Sequence, residues 1–254
     1  MKIEDLAGRR VLITGASTGI GAAVAVAFAA QGCKMALHYR EHESEARAVA
    51  AQVVALGGVA VLIRAELTSR GEPQRVVSEA AQALGGLDIL INNAGSLIAR
   101  RPFADIDDEL IDTVFDLNAR AVIHAVRAAL PFLEKSPAPA VINVGSIAGI
   151  DGGGPGSAMY ASTKAFVHNL TRHMARDFGA RGIRVNTVSP GVVATPFHDA
   201  TPPERMEAMR KAVTLGRVGT PQDCVGAFLF LASPGLSGYI TGQNIHVNGG
   251  MVMP

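Results

Sequence analysis

Directly after the apolar run Arg10-Val11-Leu12-Ile13 the chain reads Thr14-Gly15-Ala16-Ser17-Thr18-Gly19-Ile20-Gly21, and then an alanine-rich stretch from Gly21 to Gln31. A strand that turns into a helix through glycines spaced G-x-x-x-G-x-G is a narrow specification. The glycines permit a tight turn and close approach of another group. The helix N-terminus adds unpaired N–H groups and the positive end of its dipole. Such a turn suits a diphosphate. Ser17 adds a hydroxyl that can bond a phosphate oxygen or, equally, cap the helix. Glycine in a strand–helix loop also has a purely steric use, so the functional weight comes from its place between the first strand and an amphipathic helix.

The alternation continues almost to the C-terminus. Lys34 to His38, Val59 to Arg64, Leu87 to Ile91, Ala140 to Val144, Ile183 to Val188 and Asn244 to Val247 read as further strands. Between them, helices are predicted at Ser44 to Leu56, where Gly57-Gly58 supplies the stop, and from near Pro73, Asp107, Met159 and Pro221. Strands separated by helices need crossover connections. The expected fold is therefore α/β, a doubly wound, mostly parallel sheet of about seven strands with helices on both faces. No repeat or linker divides residues 1–254, so one domain is expected. Its most irregular part, around 194–215, holds Pro196 to Pro203 and a short helix over Glu204 to Val213, and is expected to act as a substrate lid.

Composition narrows the partners. The 254 residues are 48% hydrophobic, enough for one large core. Twenty-three basic residues against 22 acidic ones leave a net charge of +1, which argues against a nucleic-acid surface. Cys33 and Cys224 form no C-x-x-C pair, and no His or acidic spacing suggests a metal site. The longest apolar run, Ala22 to Ala30, is about half a membrane span, and the acidic start does not read as a signal peptide. A cytoplasmic protein without membrane contact is expected.

Tyr160 and Lys164 are four apart, one turn along a predicted helix. A phenol titrates near 10 in water and transfers protons poorly at neutral pH. A neighbouring ammonium should lower that value and make the tyrosine an acid/base group. Ser146 follows the strand Ala140 to Val144 at the sheet edge where open α/β folds bind ligands, and its hydroxyl can hold a substrate oxygen. A Ser-His-Asp hydrolase is disfavoured, because none of the seven histidines stands in a suitable motif.

These motifs, in this order, resemble those of the short-chain dehydrogenase/reductase family. The set runs from Thr14-Gly15-x-x-x-Gly19-x-Gly21 through Asn92-Asn93-Ala94-Gly95, Asn118, Ser146, Tyr160-x-x-x-Lys164 and Pro190-Gly191 with Thr195 to the stretch Gly238 to Gly250. The resemblance covers nearly the whole chain. It implies a Rossmann domain that binds NAD(P) and interconverts a carbonyl and an alcohol. Asn118, Ser146, Tyr160 and Lys164 would be the catalytic set, with Asn118 holding a water in a proton relay. For the cofactor it implies contacts from Gly15, Ser17, Thr18, Gly19, Ile20 and Gly21. Asn93, Ala94 and Gly95 would lie beside the adenosine, and Glu66 with Leu67 near the adenine. Tyr160, Lys164, Pro190, Gly191, Val193 and Thr195 would lie at the nicotinamide end. One departure stands out: Ser146 and Tyr160 are fourteen positions apart where many members have thirteen. The extra residue falls in Gly152–Gly156 and reshapes the substrate mouth.

Tyr39 sits where NAD-type members carry Asp, and Arg40 follows, placed to pair with a 2′-phosphate. NADP is therefore favoured over NAD, although Glu41, Glu43 and Thr18 temper that preference. The subgroup resembled is that of 3-oxoacyl-acyl-carrier-protein reductases and glucose-dehydrogenase-like enzymes. The substrate is then a small carbonyl or alcohol, free or carrier-bound, with a sugar or polyol as the alternative. Arg127, Arg172, Arg176 and Arg181 could receive a carrier, or could simply be solvated. The rival from another class is a dinucleotide-binding scaffold without turnover. The resemblance also implies a 222-symmetric homotetramer, with a dimer or monomer as alternatives.

Overall fold

The computed structural model describes residues 2–254. Seven strands form one sheet: β1 (Arg10–Ile13), β2 (Lys34–Tyr39), β3 (Ala60–Arg64), β4 (Ile89–Asn92), β5 (Ala140–Val144), β6 (Arg184–Pro190) and β7 (Asn244–Val247). All neighbours pair in parallel, in the order β3-β2-β1-β4-β5-β6-β7. The α-helices are α1 (Gly19–Ala30), α2 (Glu43–Ala55), α3 (Glu72–Leu84), α4 (Asp108–Phe115), α5 (Ala121–Leu133), α6 (Ala148–Asp151), α7 (Ala158–Gly179), α8 (Pro203–Ala212), α9 (Pro221–Ala232) and α10 (Pro234–Ser237). This is the single-domain, doubly wound Rossmann architecture that the alternation predicts. None of the helices is long and apolar enough to cross a membrane, among the described residues.

The pleat divides the core in two. Leu12, Leu90, Val141 and Val185 point to one face and meet Val76, Val77, Ala125, Ala129 and Phe178 of α3, α5 and α7. Val11, Ile13, Ile89 and Ile142 point to the other and meet Phe28, Val49, Val53 and Phe228 of α1, α2 and α9. Both faces being covered, the strands need unbroken apolar runs, which is how they read in the sequence.

Several boundaries differ from the expected ones. β2 runs on to Tyr39 and β6 to Pro190, because pairing with Arg64 and Val247 carries the ladders past the apolar runs. β4 starts at Ile89 rather than Leu87: the Asp88 carboxylate is drawn to the Arg10 backbone N–H at 2.8 Å and to its guanidinium at 2.7 Å. The helix expected from Asp107 is continuous into α5 but passes through one π-helical turn, Asp116–Arg120. The strand order reverses between β1 and β4, and there the carboxyl ends of the strands open into a crevice.

Candidate active site

A cleft of about 470 Å³ occupies that crevice. At one end lies the glycine turn. Thr18 occupies the N-cap of α1 without making a side-chain cap bond, and no acidic residue stands in the first turn. The helix end therefore keeps free N–H groups for an anion. At Gly21 a Cβ would run into the Gly15 carbonyl, so only glycine lets the turn fold this tightly. Asn93, the first residue past β4, braces it, its Nδ2 donating to Thr14 O at 2.9 Å and Gly15 O at 2.8 Å. The N–H of Gly15 donates to His38 Nδ1 at 3.0 Å, and His38 Nε2 lies 3.2 Å from Ala65 O. Burial lowers the His38 pKa to about 4, so the ring is neutral, with Nδ1 as acceptor and Nε2–H as donor. This cradle fits the diphosphate of a dinucleotide.

Arg40 lines the same end but is not free. Its guanidinium lies 3.1 Å from Glu41 and 3.4 Å from Glu66. The other Glu66 oxygen accepts from the Thr68 N–H at 3.1 Å and hydroxyl at 3.0 Å. Glu43, the other expected neighbour, pairs with Arg47 instead.

The wall facing the glycine turn is built by β5 and α7. Lys164 is buried, and its Nζ donates to Val144 O at 2.8 Å while standing 5.6 Å from the Tyr160 ring centroid. Ser146, two residues past β5, accepts from the Ala148 N–H at 3.1 Å. Asn118 is buried in the π turn. Its Oδ1 accepts from the Ser96 N–H at 3.0 Å and its Nδ2 donates to Ser96 O at 2.9 Å. A Cβ on Gly95 would lie 2.8 Å from Asn118 Oδ1 and 3.1 Å from Lys164 Nζ, so the two groups converge on that glycine. No group of three or more His, Cys, Asp or Glu is arranged to hold a metal ion among the described residues.

One electrostatic expectation is overturned. Burial pushes the Tyr160 pKa up to about 12, with the neighbouring Ser146 side chain working in the opposite direction. Burial also lowers Lys164 to about 8. Desolvation of both groups outweighs the lowering by a neighbouring ammonium that the spacing suggested. Tyr160 is thus a neutral phenol, a proton donor in its resting form.

The cleft brings together Gly15, Ser17, Thr18, Gly19, Ile20, Arg40, Glu66, Leu67, Asn93, Ala94, Gly95, Ser146, Tyr160, Lys164, Pro190, Gly191, Val193 and Thr195. Gly21 and Asn118 stand just behind its surface and shape it. Tyr39 is not in it. Its side chain is buried, on the strand parity of Met35 and Leu37, and the alternate residue, His38, lines the cleft instead. Ser17 is not the cap of α1; Thr18 holds that position. The Thr195 hydroxyl donates to Val193 O at 3.4 Å. Residue-by-residue reading missed His38, whose parity relative to Leu37 was the available signal. It also missed Phe197, which packs on Tyr160 with centroids 5.4 Å apart, and Arg100 at the mouth.

Comparison with known proteins agrees with this architecture. The family described as Enoyl-(Acyl carrier protein) reductase matches residues 15–252. The 3-oxoacyl-[acyl-carrier-protein] reductase FabG of Staphylococcus aureus is 37% identical over 249 residues, 96% of this chain and 98% of that protein. Among solved structures, NADH-dependent reductase A1-R′ complexed with NAD is 37% identical, with TM-score 0.89 over 99% of this chain and 100% of that one. A blue fluorescent protein from a metagenomic library, in complex with NADPH, is 32% identical, with TM-score 0.91 over 98% and 100%. Likeness that spans the chain in both sequence and fold has one consequence: this protein belongs to the short-chain dehydrogenase/reductase family and is an NAD(P)-dependent oxidoreductase.

Proposed function

We propose that the protein reduces a ketone to a secondary alcohol, with Tyr160 as the proton donor. The reading rests on one observation: Ser146, Tyr160 and Lys164 line the cleft wall that faces the glycine turn. A bound nicotinamide would supply the hydride, held by the turn from Gly15 to Gly21 and by Pro190, Gly191, Val193 and Thr195. The Ser146 hydroxyl steadies the substrate oxygen as negative charge gathers on it. The Tyr160 hydroxyl gives that oxygen its proton. Lys164, with a pKa near working pH, can return a proton to the tyrosine, and its contact with Val144 O fixes its direction. Asn118 holds the Ser96 backbone beside Lys164 and keeps the inner end of this path in register. Alcohol oxidation is the same path reversed.

The experiment is Tyr160→Phe, assayed for turnover on a ketone panel and for cofactor binding by fluorescence. Loss of turnover with binding retained supports the assignment; turnover within tenfold of wild type refutes it. The names of relatives such as FabG support a 3-oxoacyl substrate, and with it a carrier protein. The segment 194–215, which brings Phe197 and Met209 to the cleft, is the lid in this reading.

A homotetramer follows the same family pattern. Tyr239, Leu236 and Met253 leave apolar surface exposed near the C-terminus for it. Light scattering near the 26.3 kDa of one chain would refute any oligomer.

A further inference from the structure

The loop Gly152–Gly156 leads from α6 to the helix carrying Tyr160, and two arginines from distant parts of the chain close over it. Arg100 Nη1 donates to Pro155 O at 3.3 Å, and Arg205 Nη2, from α8, donates to the same oxygen at 3.4 Å. Both side chains are half-buried. Eight other arginines are answered by acids, among them Arg10 by Asp88, Arg75 by Glu72 and Glu79, Arg210 by Glu207 and Arg217 by Asp223, while eight more, Arg64 and Arg184 among them, are not. No Asp or Glu oxygen comes within 4.0 Å of Arg100 or Arg205 among the described residues. Asp151, the acid on this part of the lining, turns its Oδ1 to the Gly153 N–H at 2.8 Å. His198 borders this corner without adding positive charge to it. Burial first, then the charges of Arg100 and Arg205, hold its pKa below the ordinary value, and Asp199 only partly opposes them.

Two half-buried guanidinium groups drawn to one carbonyl, with no counter-anion, make an arrangement that an anion would relieve. A guanidinium presents its N–H groups as a planar fork, the geometry that matches a carboxylate. The corner is also near the reacting group. Pro155 precedes Tyr160 by five residues, and Phe197, next to His198, packs on the Tyr160 ring.

The geometry points to a carboxylate subsite formed by Arg100 and Arg205, so that the substrate is a small oxo acid carrying its carbonyl and its carboxylate on one molecule. This deepens the ketone-reductase reading and rests on Tyr160 as proton donor, but not on a 3-oxoacyl thioester as substrate.

The test pairs oxo acids, with the carboxylate one to five carbons from the ketone, against their own methyl esters. A 3-oxoacyl thioester of N-acetylcysteamine is the third arm. For at least one pair, wild-type kcat/KM should favour the acid over the ester by tenfold or more. That ratio should fall below threefold in Arg100→Gln/Arg205→Gln and should lie between the two in Arg205→Lys. Cofactor binding checks that each variant is folded, and the single Gln variants replace the double one if it is not. The subsite is overturned if every ester matches its acid, if the ratio survives in the variants, or if the thioester outpaces every acid. Tyr160→Phe separates the two levels. If it abolishes turnover of all arms while the acid–ester ratio is unmoved by the arginine changes, the subsite fails alone. If it leaves turnover intact, the proton-donor reading fails as well.

Discussion

On the inner wall of the cleft, Asn118 and Lys164 are buried and bonded to main-chain groups, whereas at the nucleotide-end rim Arg40 is half exposed between Glu41 and Glu66. The wall is positioned by backbone that the core holds in place, so each polar group has one partner and little room to find another. At the rim, charges face each other across water, which screens them and lets them exchange partners. The contrast separates two properties of one enzyme. In the proposed function, reaction chemistry belongs to the wall, and cofactor choice to a balance of charges that single substitutions should tip.

The largest effect should come from the wall. Tyr160→Phe removes the proton path and should cut kcat by about 10²–10⁴, the range general acid catalysis supplies, with cofactor affinity little changed. A loss of only a few fold in stopped-flow single turnovers would mean that the wall does not carry the chemistry.

Lys164 gives the wall a pH signature. Its charged form is disfavoured in the fold, with a pKa of about 8 against the ordinary 10.5. The unfolded chain therefore binds the extra proton between those values, so this group makes stability rise as pH climbs from 8 toward 10.5. Below 8 the full penalty applies, about 3 kcal/mol at 1.36 kcal/mol per unit. Lys164→Met should abolish turnover yet flatten that rise, as read from urea midpoints at pH 7 and pH 9.5. Turnover by the wild type should itself fall as pH rises through about 8. Identical midpoint changes in the two proteins would remove Lys164 from the account.

Asn118→Ala tests whether the wall depends on its supports. It strips partners from the Ser96 N–H and carbonyl, a cost of about 1–3 kcal/mol. It should lower Tm and slow kcat more than it raises KM. An unchanged Tm would show that water replaces the amide.

The smallest effect should come from the rim. Arg40→Ala should shift the NADP-to-NAD ratio of kcat/KM by only about fivefold, the scale of an exposed ion pair. Glu41→Gln should move it the other way, toward NADP. A hundredfold loss on Arg40→Ala would break the comparison, because Arg40 would then bind a 2′-phosphate as firmly as a buried group does.

The seven strands and the glycine turn were legible because they follow from local pattern: apolar runs, alanine-rich periods and glycines at fixed offsets. Ser146, Tyr160 and Lys164 were legible because short spacings next to a strand end carry their geometry. Tyr39 misled because resemblance fixes a position in the chain, whereas the pleat fixes the direction of its side chain, and one step of alternation exchanged it with His38. The Arg40 balance lay partly hidden, since Glu66 arrives from another strand, 26 residues away. Arg100 and Arg205 are further apart still, and only the folded chain brings them onto Pro155. The raised Tyr160 pKa was hidden for the same reason: the spacing displayed the lysine and concealed the desolvation.

The π turn at Asp116–Arg120 amounts to one residue more than a regular helix would use. Each residue of an α-helix advances the side-chain direction by about 100°. The five residues of the turn cover about the rotation that four α-helical residues would, so losing one would leave α4 and α5 on their present faces and change only the turn itself. Asn118, inside that turn, would lose its aim at Ser96. The segment therefore behaves like a splice: the two lengths of helix it joins do not feel the extra residue, but the side chain it carries does. Homologous chains with a gap at these five positions should keep both helices and lose the contact between the asparagine and the Ser96 backbone.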